Sequence, residues 1–338
     1  MKSWILKAGA TSLDDLYMTD APMPEAGPGE VLVRVRACSL NFRDQLVPQG
    51  LYMGGTTDRD IVPLSDGVGE VVALGAGVSR FALGDRVAGT FFQNWIDGPP
   101  RPDGGPALGA PPAKGMLTEF VALPEAGLVP LAASLSFEEA STLPCAGVTA
   151  WNALMEGPRP LQPGDSVLVL GTGGVSLLAL QIAKAAGARV IATSSSDEKL
   201  ARVQALGADH LINYRTTPNW GAEAARLAGG SGVDHVVEVG GAGTLAQSIQ
   251  AVGYGGEIAL IGVLTREGDT NPRALMFKGA SLRGIFVGSR VMAERLNDFV
   301  DAHRIAPVVD RCFPLAEARA AYDYQASAAL FGKVVITL

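Results

Sequence analysis

Cysteine and histidine are scarce in this chain, with three of each among 338 residues. Cys38, Cys145 and Cys312 lie far apart and are odd in number, which excludes a disulfide framework and suits a reduced, cytoplasmic protein. Charge is sparse too: 18% of residues are charged and the formal net charge is -7. That balance argues against nucleic acid or an anionic membrane as partner. Long apolar runs are missing as well. The opening Met1-Lys2-Ser3-Trp4-Ile5-Leu6-Lys7 has no extended apolar core and meets Asp14 and Asp15 early, so it is not expected to act as a secretion signal. Val167 to Ala183 carries no charge, yet Gly171, Gly173 and Gly174 break it where a strand would turn into a helix, so no membrane span is expected. What is plentiful is apolar residue, 48%, which suits a globular protein of about two domains.

The most informative stretch runs from Ser166 to Ser176, Ser-Val-Leu-Val-Leu-Gly-Thr-Gly-Gly-Val-Ser. Val167 to Leu170 has the pattern of a buried parallel strand, and a helical pattern continues through Leu177, Leu178, Leu180 and Ile182 to stop at Gly187. Between them Gly171, Gly173 and Ser176 keep the spacing of a dinucleotide-binding turn, with serine in the last place. The first glycine makes the tight turn and the second lets backbone approach a pyrophosphate. The third position permits close helix–strand packing, for which serine is small enough. Thr172, Gly174 and Val175 complete the turn, and the helix opening there would aim its free amides at phosphates. A glycine-rich turn without a ligand is the competing reading.

Residues 1–134 read mainly as short strands: Glu30 to Ala37, Val68 to Leu74, Arg86 to Gly89 and Phe120 to Leu123, punctuated by glycine and proline. Strands at this spacing suggest a small barrel. Gly98 to Gly115 is a long aperiodic loop, expected to be a functional lobe or a mobile flap. From Ser136, which can cap a helix with Glu139 in the capping-box position, the pattern changes. Strands at Val167, Val190, His210, His235, Ile258 and Ser281 to Phe286 then alternate with helices such as Glu198–Leu206 and Thr244–Val252, the latter ended by Gly253. This alternation predicts an α/β domain with a doubly wound parallel sheet over 135–288, and the tail 289–338 reads as a return to the first domain.

The expected carboxylate that would hold an NAD ribose is absent at the end of the second strand, Thr193-Ser194-Ser195-Ser196. Ser194 and Ser195, with Lys199 in the next helix and Tyr214-Arg215 after the third strand, make a plausible 2′-phosphate pocket. NADPH is therefore expected over NADH. The alternative for Ser195 is a helix cap with Glu198 at the capping-box position, and both roles are compatible.

The order of barrel, nucleotide domain and return segment resembles the medium-chain dehydrogenase/reductase superfamily over essentially the whole chain. The motifs carrying the resemblance are Gly29-Glu30-Val31-Leu32-Val33, Gly67-Val68-Gly69-Glu70-Val71-Val72, Gly84-Asp85-Arg86-Val87, the Gly171 turn and Gly332-Lys333-Val334-Val335. The resemblance implies a GroES-like antiparallel barrel plus a Rossmann domain, with the active site in a cleft between them. Zinc-containing members carry Cys, His-Glu and Cys ligands there. This chain has Asn41-Phe42-Arg43-Asp44 and Ser65-Asp66 at the first two places and keeps only Cys145, read as a small buried hydrophobe. One thiolate cannot supply a catalytic zinc site, so no metal is expected.

Asn-Phe-x-x-Asp with Tyr52 resembles the zinc-independent quinone oxidoreductase branch. That implies Asn41 and Tyr52 as catalytic residues facing the substrate, Thr149 lining the cofactor, and Lys199 and Tyr214 on the 2′-phosphate. It also implies nicotinamide-half contacts at Gly240, Ile261, Gly262, Val263, Phe286, Val287 and Gly288. The bland alternatives are that Asn41 and Asp44 tie down a turn and Tyr52 merely packs, and for Asp44 the bland reading is preferred. His210, His235 and His303 fall away from the expected cleft and are given no catalytic role. The expected activity is NADPH-dependent hydride transfer to a small-molecule electrophile, a quinone or an α,β-unsaturated carbonyl. The alternatives are an alcohol dehydrogenase and a non-catalytic, crystallin-like NADPH-binding protein. A homodimer, joined through the edge strand Ser281–Phe286, is implied by the resemblance alone.

Overall fold

The computed structural model describes the chain except Met53, Gly54, Val263, Arg266 and Asp269, and the side chain of Asp103. Two compact units are formed, Met1–Val148 with Gly288–Leu338, and Thr149–Val287. Residues 135–148 and Gly288, grouped with the second domain in the sequence reading, therefore belong to the first unit. The reason is local: the capped helix Phe137–Ala140 packs on the strands Glu30–Ser39 and Asp66–Leu74. Among the described residues no helix is long and apolar enough to cross a membrane.

In the first unit Glu30–Ser39 is the organising strand. It alternates because one face is covered, and it pairs antiparallel with Asp66–Leu74, Phe120–Pro124 and Lys333–Thr337. Asp66–Leu74 passes on to Arg86–Gly89 and then Leu128–Pro130. Gly69 is required in this sheet, since a Cβ there would sit 2.0 Å from the Arg34 carbonyl oxygen. The antiparallel expectation has one exception: Val309–Pro314 and Lys333–Thr337 run parallel, because the helix Ala318–Ala326 carries the chain across between them. Leu6, Leu16, Leu64, Val87, Leu128 and Ile336 share the enclosed core. The Gly98–Gly115 stretch is irregular but packed: Ala107, Leu108 and Ala110 are buried, and Leu108 N bonds to Phe91 O at 3.0 Å.

The second unit is a six-stranded parallel sheet ordered His210–Asn213, Arg189–Ser194, Ser166–Leu170, Val233–Glu238, Val252–Leu260, Ser281–Gly284. This is the doubly wound order, in which the sheet grows outward in both directions from Ser166–Leu170. All five residues of that strand are buried, which accounts for its unbroken apolar run. Gly253 does not end a helix as expected. The helix Ala242–Ala251 passes directly into the strand Val252–Leu260, whose register is irregular near Val233.

Candidate functional site

In the first unit the side chains of interest gather around Asp66. Leu64 is held at φ +70, a conformation non-glycine residues seldom adopt, and its carbonyl accepts from Met116 N. The turn delivers Ser65 and Asp66 into the interior, both fully buried. Asp66 Oδ1 accepts from Ser65 Oγ at 2.8 Å. Its Oδ2 lies 3.3 Å from both Ser39 Oγ and Cys145 N, and 3.7 Å from Lys333 Nζ. Lys333 is itself 4% exposed and donates to Leu40 O and to Asn41 Oδ1, each at 2.6 Å. Because Lys333 can only donate, it fixes the Asn41 amide with oxygen inward and leaves Asn41 Nδ2 without a partner.

Asn41 also caps the helix Phe42–Leu46, and Asp44 Oδ2 accepts from the Asn41 backbone amide at 2.7 Å. The preferred reading of Asp44 as the tie of this turn holds. Burial pushes its carboxyl from 3.8 up to about 6, against the lowering pull of the Arg43 charge and the Asn41 amide. The folded chain therefore binds the extra proton between those two values, and stability falls as pH rises through that window. The fall totals about 3 kcal/mol by neutral pH. Asp44→Asn keeps an oxygen for the Asn41 amide and cannot ionise. Urea midpoints between about pH 4 and pH 7 should flatten in that variant, and an unchanged slope would assign the effect elsewhere.

Tyr52 follows the turn at Gly50 (φ +64), its ring packed against the barrel core and over Arg43. Its hydroxyl is buried without a partner, and burial raises its pKa, so it stays a proton-bearing donor. Cys145 is half-buried in the turn Leu143–Gly147, and burial, with the Asp66 charge, holds its thiol protonated.

These donors do not fit a zinc ion. Both Asp66 oxygens are engaged and an ammonium sits beside them, which leaves too few free donors here for a zinc site. Among the described residues no group of three or more His, Cys, Asp and Glu could hold a metal.

In the second unit the glycine turn has the features a dinucleotide needs. Gly171 takes φ +73, and its amide bonds to Thr193 O at 3.0 Å. Gly173 opens the helix Gly174–Ala185 with no side-chain cap on its first amides, and a Cβ at Gly173 would meet nothing within 4 Å. Thr172 is buried, and Val175 lies in the first helical turn. Ser176 fulfils the third-glycine role actively: its hydroxyl donates to Leu170 O at 2.7 Å, stapling helix to strand.

At the end of the second strand Tyr214 N bonds to Ser194 O at 3.1 Å, which brings Ser194, Ser195, Tyr214 and Arg215 to one sheet edge. Lys199 lies in the first turn of Asp197–Ala205. The cap of that helix is Ser196, not Ser195: its hydroxyl accepts from Lys199 N at 3.3 Å. Ser195 is thereby released from the capping role. Asn213 Nδ2 holds the Asp197 carboxylate at 2.7 Å.

The loops after the fourth and fifth strands are knitted by a residue that sequence reasoning passed over. Glu238 is fully buried, and its Oε1 accepts from Gly240 N (2.8 Å), Gly241 N (2.9 Å) and Thr244 Oγ1 (2.6 Å). Its Oε2 accepts from Ser248 Oγ. Ile261 N and Gly262 N both bond to the Glu238 carbonyl at 2.9 Å, and Thr265 N bonds to Gly240 O. Val263 lies outside the described residues. Farther on, Phe286 is exposed, and Val287 is held at φ +56, a strained conformation for a β-branched residue, with its carbonyl accepting from Asn152 Nδ2 at 2.7 Å. A Cβ on Gly288 would meet Val148 and Met292 at 2.7 Å. Thr149 is buried near the start of Val148–Met155. His235 pairs with Asp165 at 3.3 Å, and the rings of His303 and Phe299 lie against each other.

Comparison with known proteins agrees with both halves. Residues 27–133 match the alcohol dehydrogenase GroES-like domain, and residues 174–302 match the zinc-binding dehydrogenase family. A zinc-type alcohol dehydrogenase-like protein of Schizosaccharomyces pombe is 43% identical over 97% of this chain and 96% of its own length. The quinone oxidoreductase of Rattus norvegicus is 28% identical over 95% of this chain and 92% of its own. The crystal structure of an NAD-dependent alcohol dehydrogenase superposes with a TM-score of 0.88 at 35% identity, covering all of both chains. With a GroES-like unit, a doubly wound nucleotide-binding unit and these relatives, the chain belongs to the oxidoreductases of the medium-chain dehydrogenase/reductase superfamily.

Proposed function

We propose that the protein reduces a quinone or an α,β-unsaturated carbonyl with NADPH and without zinc. The observation that carries this reading is the Lys333 ammonium lodged between Asp66 and Asn41, which engages the acid a metal would need and leaves Asn41 Nδ2 as a buried donor without a partner. Without a Lewis acid, oxidising a simple alcohol forgoes several kcal/mol of charge stabilisation. A conjugated acceptor needs less help, because its carbonyl already draws electron density from the carbon that receives hydride.

Bound NADPH would supply that hydride from nicotinamide C4. The 171–175 turn would hold the pyrophosphate. Ser194, Ser195, Lys199, Tyr214 and Arg215 would hold the 2′-phosphate. The Gly240, Ile261–Val263 and Phe286–Gly288 backbone would hold the nicotinamide half, with Thr149 lining it. The hydride would go to the ring or β-carbon, the electron pair would move onto the acceptor oxygen, and Tyr52 or water would return a proton. Tyr52 and Asn41 donate to that oxygen as its charge grows. A homodimer using the edge strand Ser281–Gly284 belongs to the same reading.

The test is NADPH oxidation by the metal-analysed protein over quinones, enones, enals and aldehydes, with and without chelator. Turnover of conjugated acceptors that persists in chelator, with no stoichiometric zinc, is expected. One tightly held zinc per chain, with activity lost on its removal, would favour the alcohol dehydrogenase reading. For the cofactor, Lys199→Ala should weaken NADPH binding about tenfold or more while NADH is little affected, since a charged hydrogen bond is worth about 1.5–3 kcal/mol. Equal losses for both cofactors in fluorescence titrations would sink the assignment.

A further inference from the structure

We propose that Arg43 is a carboxylate-binding residue, and that the acceptor is an unsaturated ketone bearing a carboxylate. The proposal rests on the reductase reading above. Arg43 lies on the helix Phe42–Leu46 and is 7% exposed. Its Nη1 donates to Leu108 O at 2.7 Å, while Nε and Nη2 have no partner. Those two nitrogens form one edge of the guanidinium plane, and that edge presents two parallel N–H donors, the arrangement a carboxylate accepts bidentately.

The Asp44 carboxylate is near enough to offset the Arg43 charge, but no acceptor is hydrogen-bonded to that edge. The Tyr52 ring centroid lies 4.5 Å and the Phe91 centroid 4.9 Å from the guanidinium carbon, so two aromatic rings flank the cation. Asp44 senses the Arg43 charge but is committed to the Asn41 amide, and Asp66 is committed to Lys333 and the serines. No carboxylate of the described residues forms an ion pair with Arg43. A buried guanidinium with an empty edge is costly to maintain unless something completes it. The other unpartnered polar atoms of this segment, Asn41 Nδ2 and Tyr52 Oη, bring no negative charge. A carboxylate, with its two oxygens in one plane, fits that edge.

A matched pair of substrates isolates the effect. 4-Oxo-2-pentenoate and 3-penten-2-one differ only by a carboxylate in place of a methyl group. The parent protein should prefer the acid in kcat/KM by about tenfold to hundredfold, the range of one charged hydrogen-bonded contact. Arg43→Met should abolish that preference. Arg43→Lys, which keeps the charge without the bidentate edge, should fall between, and it supplies the comparison if Arg43→Met does not fold by near-ultraviolet circular dichroism. A second readout needs no turnover: saturated 4-oxopentanoate should bind the parent in calorimetry, better than 2-pentanone does, and should bind the variants more weakly. Equal acid-to-neutral ratios in parent and variants, or equal binding of the two saturated probes, would overturn the proposal. If neither enone is reduced while 4-oxopentanoate still binds through Arg43, the carboxylate site stands and the reductase reading falls.

Discussion

Tyr52→Phe is expected to lower kcat on a good conjugated acceptor about tenfold to a hundredfold, while NADPH affinity stays at the parent value. Losing one donor to a developing oxyanion costs about 10²–10³ where water is excluded, and water reaching the acceptor would replace part of that. The stability of the variant gives the internal control. The Tyr52 hydroxyl is buried with no partner, so the substitution removes an unsatisfied polar atom and keeps the ring on Arg43. The melting temperature should hold or rise slightly. A kinetic loss without a stability loss marks a group reserved for the transition state. Parent-level turnover would make Tyr52 a packing residue and leave Asn41, or the acceptor's own conjugation, to carry the charge.

Glu238→Ala should have the largest effect on the nucleotide-binding unit. It strands two backbone amides and two hydroxyls that now share one carboxylate. Each buried donor left unmade costs about 1–3 kcal/mol, and with partial relaxation a total loss of at least ~3 kcal/mol is expected in urea unfolding. Nicotinamide cofactor binding should weaken in parallel, because the Gly240–Gly241 backbone is hung from this side chain. Glu238→Gln keeps an oxygen for the amides and should be far milder. A loss under about 1 kcal/mol in Glu238→Ala would mean that water takes over the carboxylate's contacts.

How far the sequence reaches can be judged from particular residues. The turn at Gly171 and the strand Ser166–Leu170 are legible because strand, glycine spacing and helix periodicity are all local and agree. The barrel strand Glu30–Ser39 announces itself by alternation. Gly253 misleads for an equally local reason: a glycine after a helical pattern reads as a stop, whereas here the chain moves straight from helix into strand. The hairpin of Lys2–Leu6 with Leu16–Asp20 escapes notice because only part of its surface is covered and its alternation is weak. Ser196 rather than Ser195 caps its helix, a difference of one residue among three serines that no pattern resolves. The functional setting of Asn41 is harder still. Its orientation comes from Lys333, and the lysine is visible in the Gly332-Lys333-Val334-Val335 motif, but nothing along the chain says whom it touches. Arg43 and Glu238 are hidden in the same way: each is a buried charged residue whose meaning lies in surroundings that only folding supplies.

The reach of Lys333 to Asn41 spans 292 positions of sequence. During synthesis the chain emerges in order, so the nucleotide-binding unit, Thr149–Val287, is complete while the strand that closes the barrel sheet is still unmade. Until that strand pairs with Glu30–Ser39, Asp66 has no ammonium beside it, Asn41 is free to turn, and the sheet keeps an unpaired edge. The side-chain cluster around Asp66 is therefore completed only after the nucleotide-binding unit has been made. Closing so distant a contact also carries a loop-entropy cost, partly relieved because the intervening unit has already condensed into a compact body. A ribosome that stalls shortly before Lys333 thus leaves a dinucleotide-binding unit attached to an unfinished barrel.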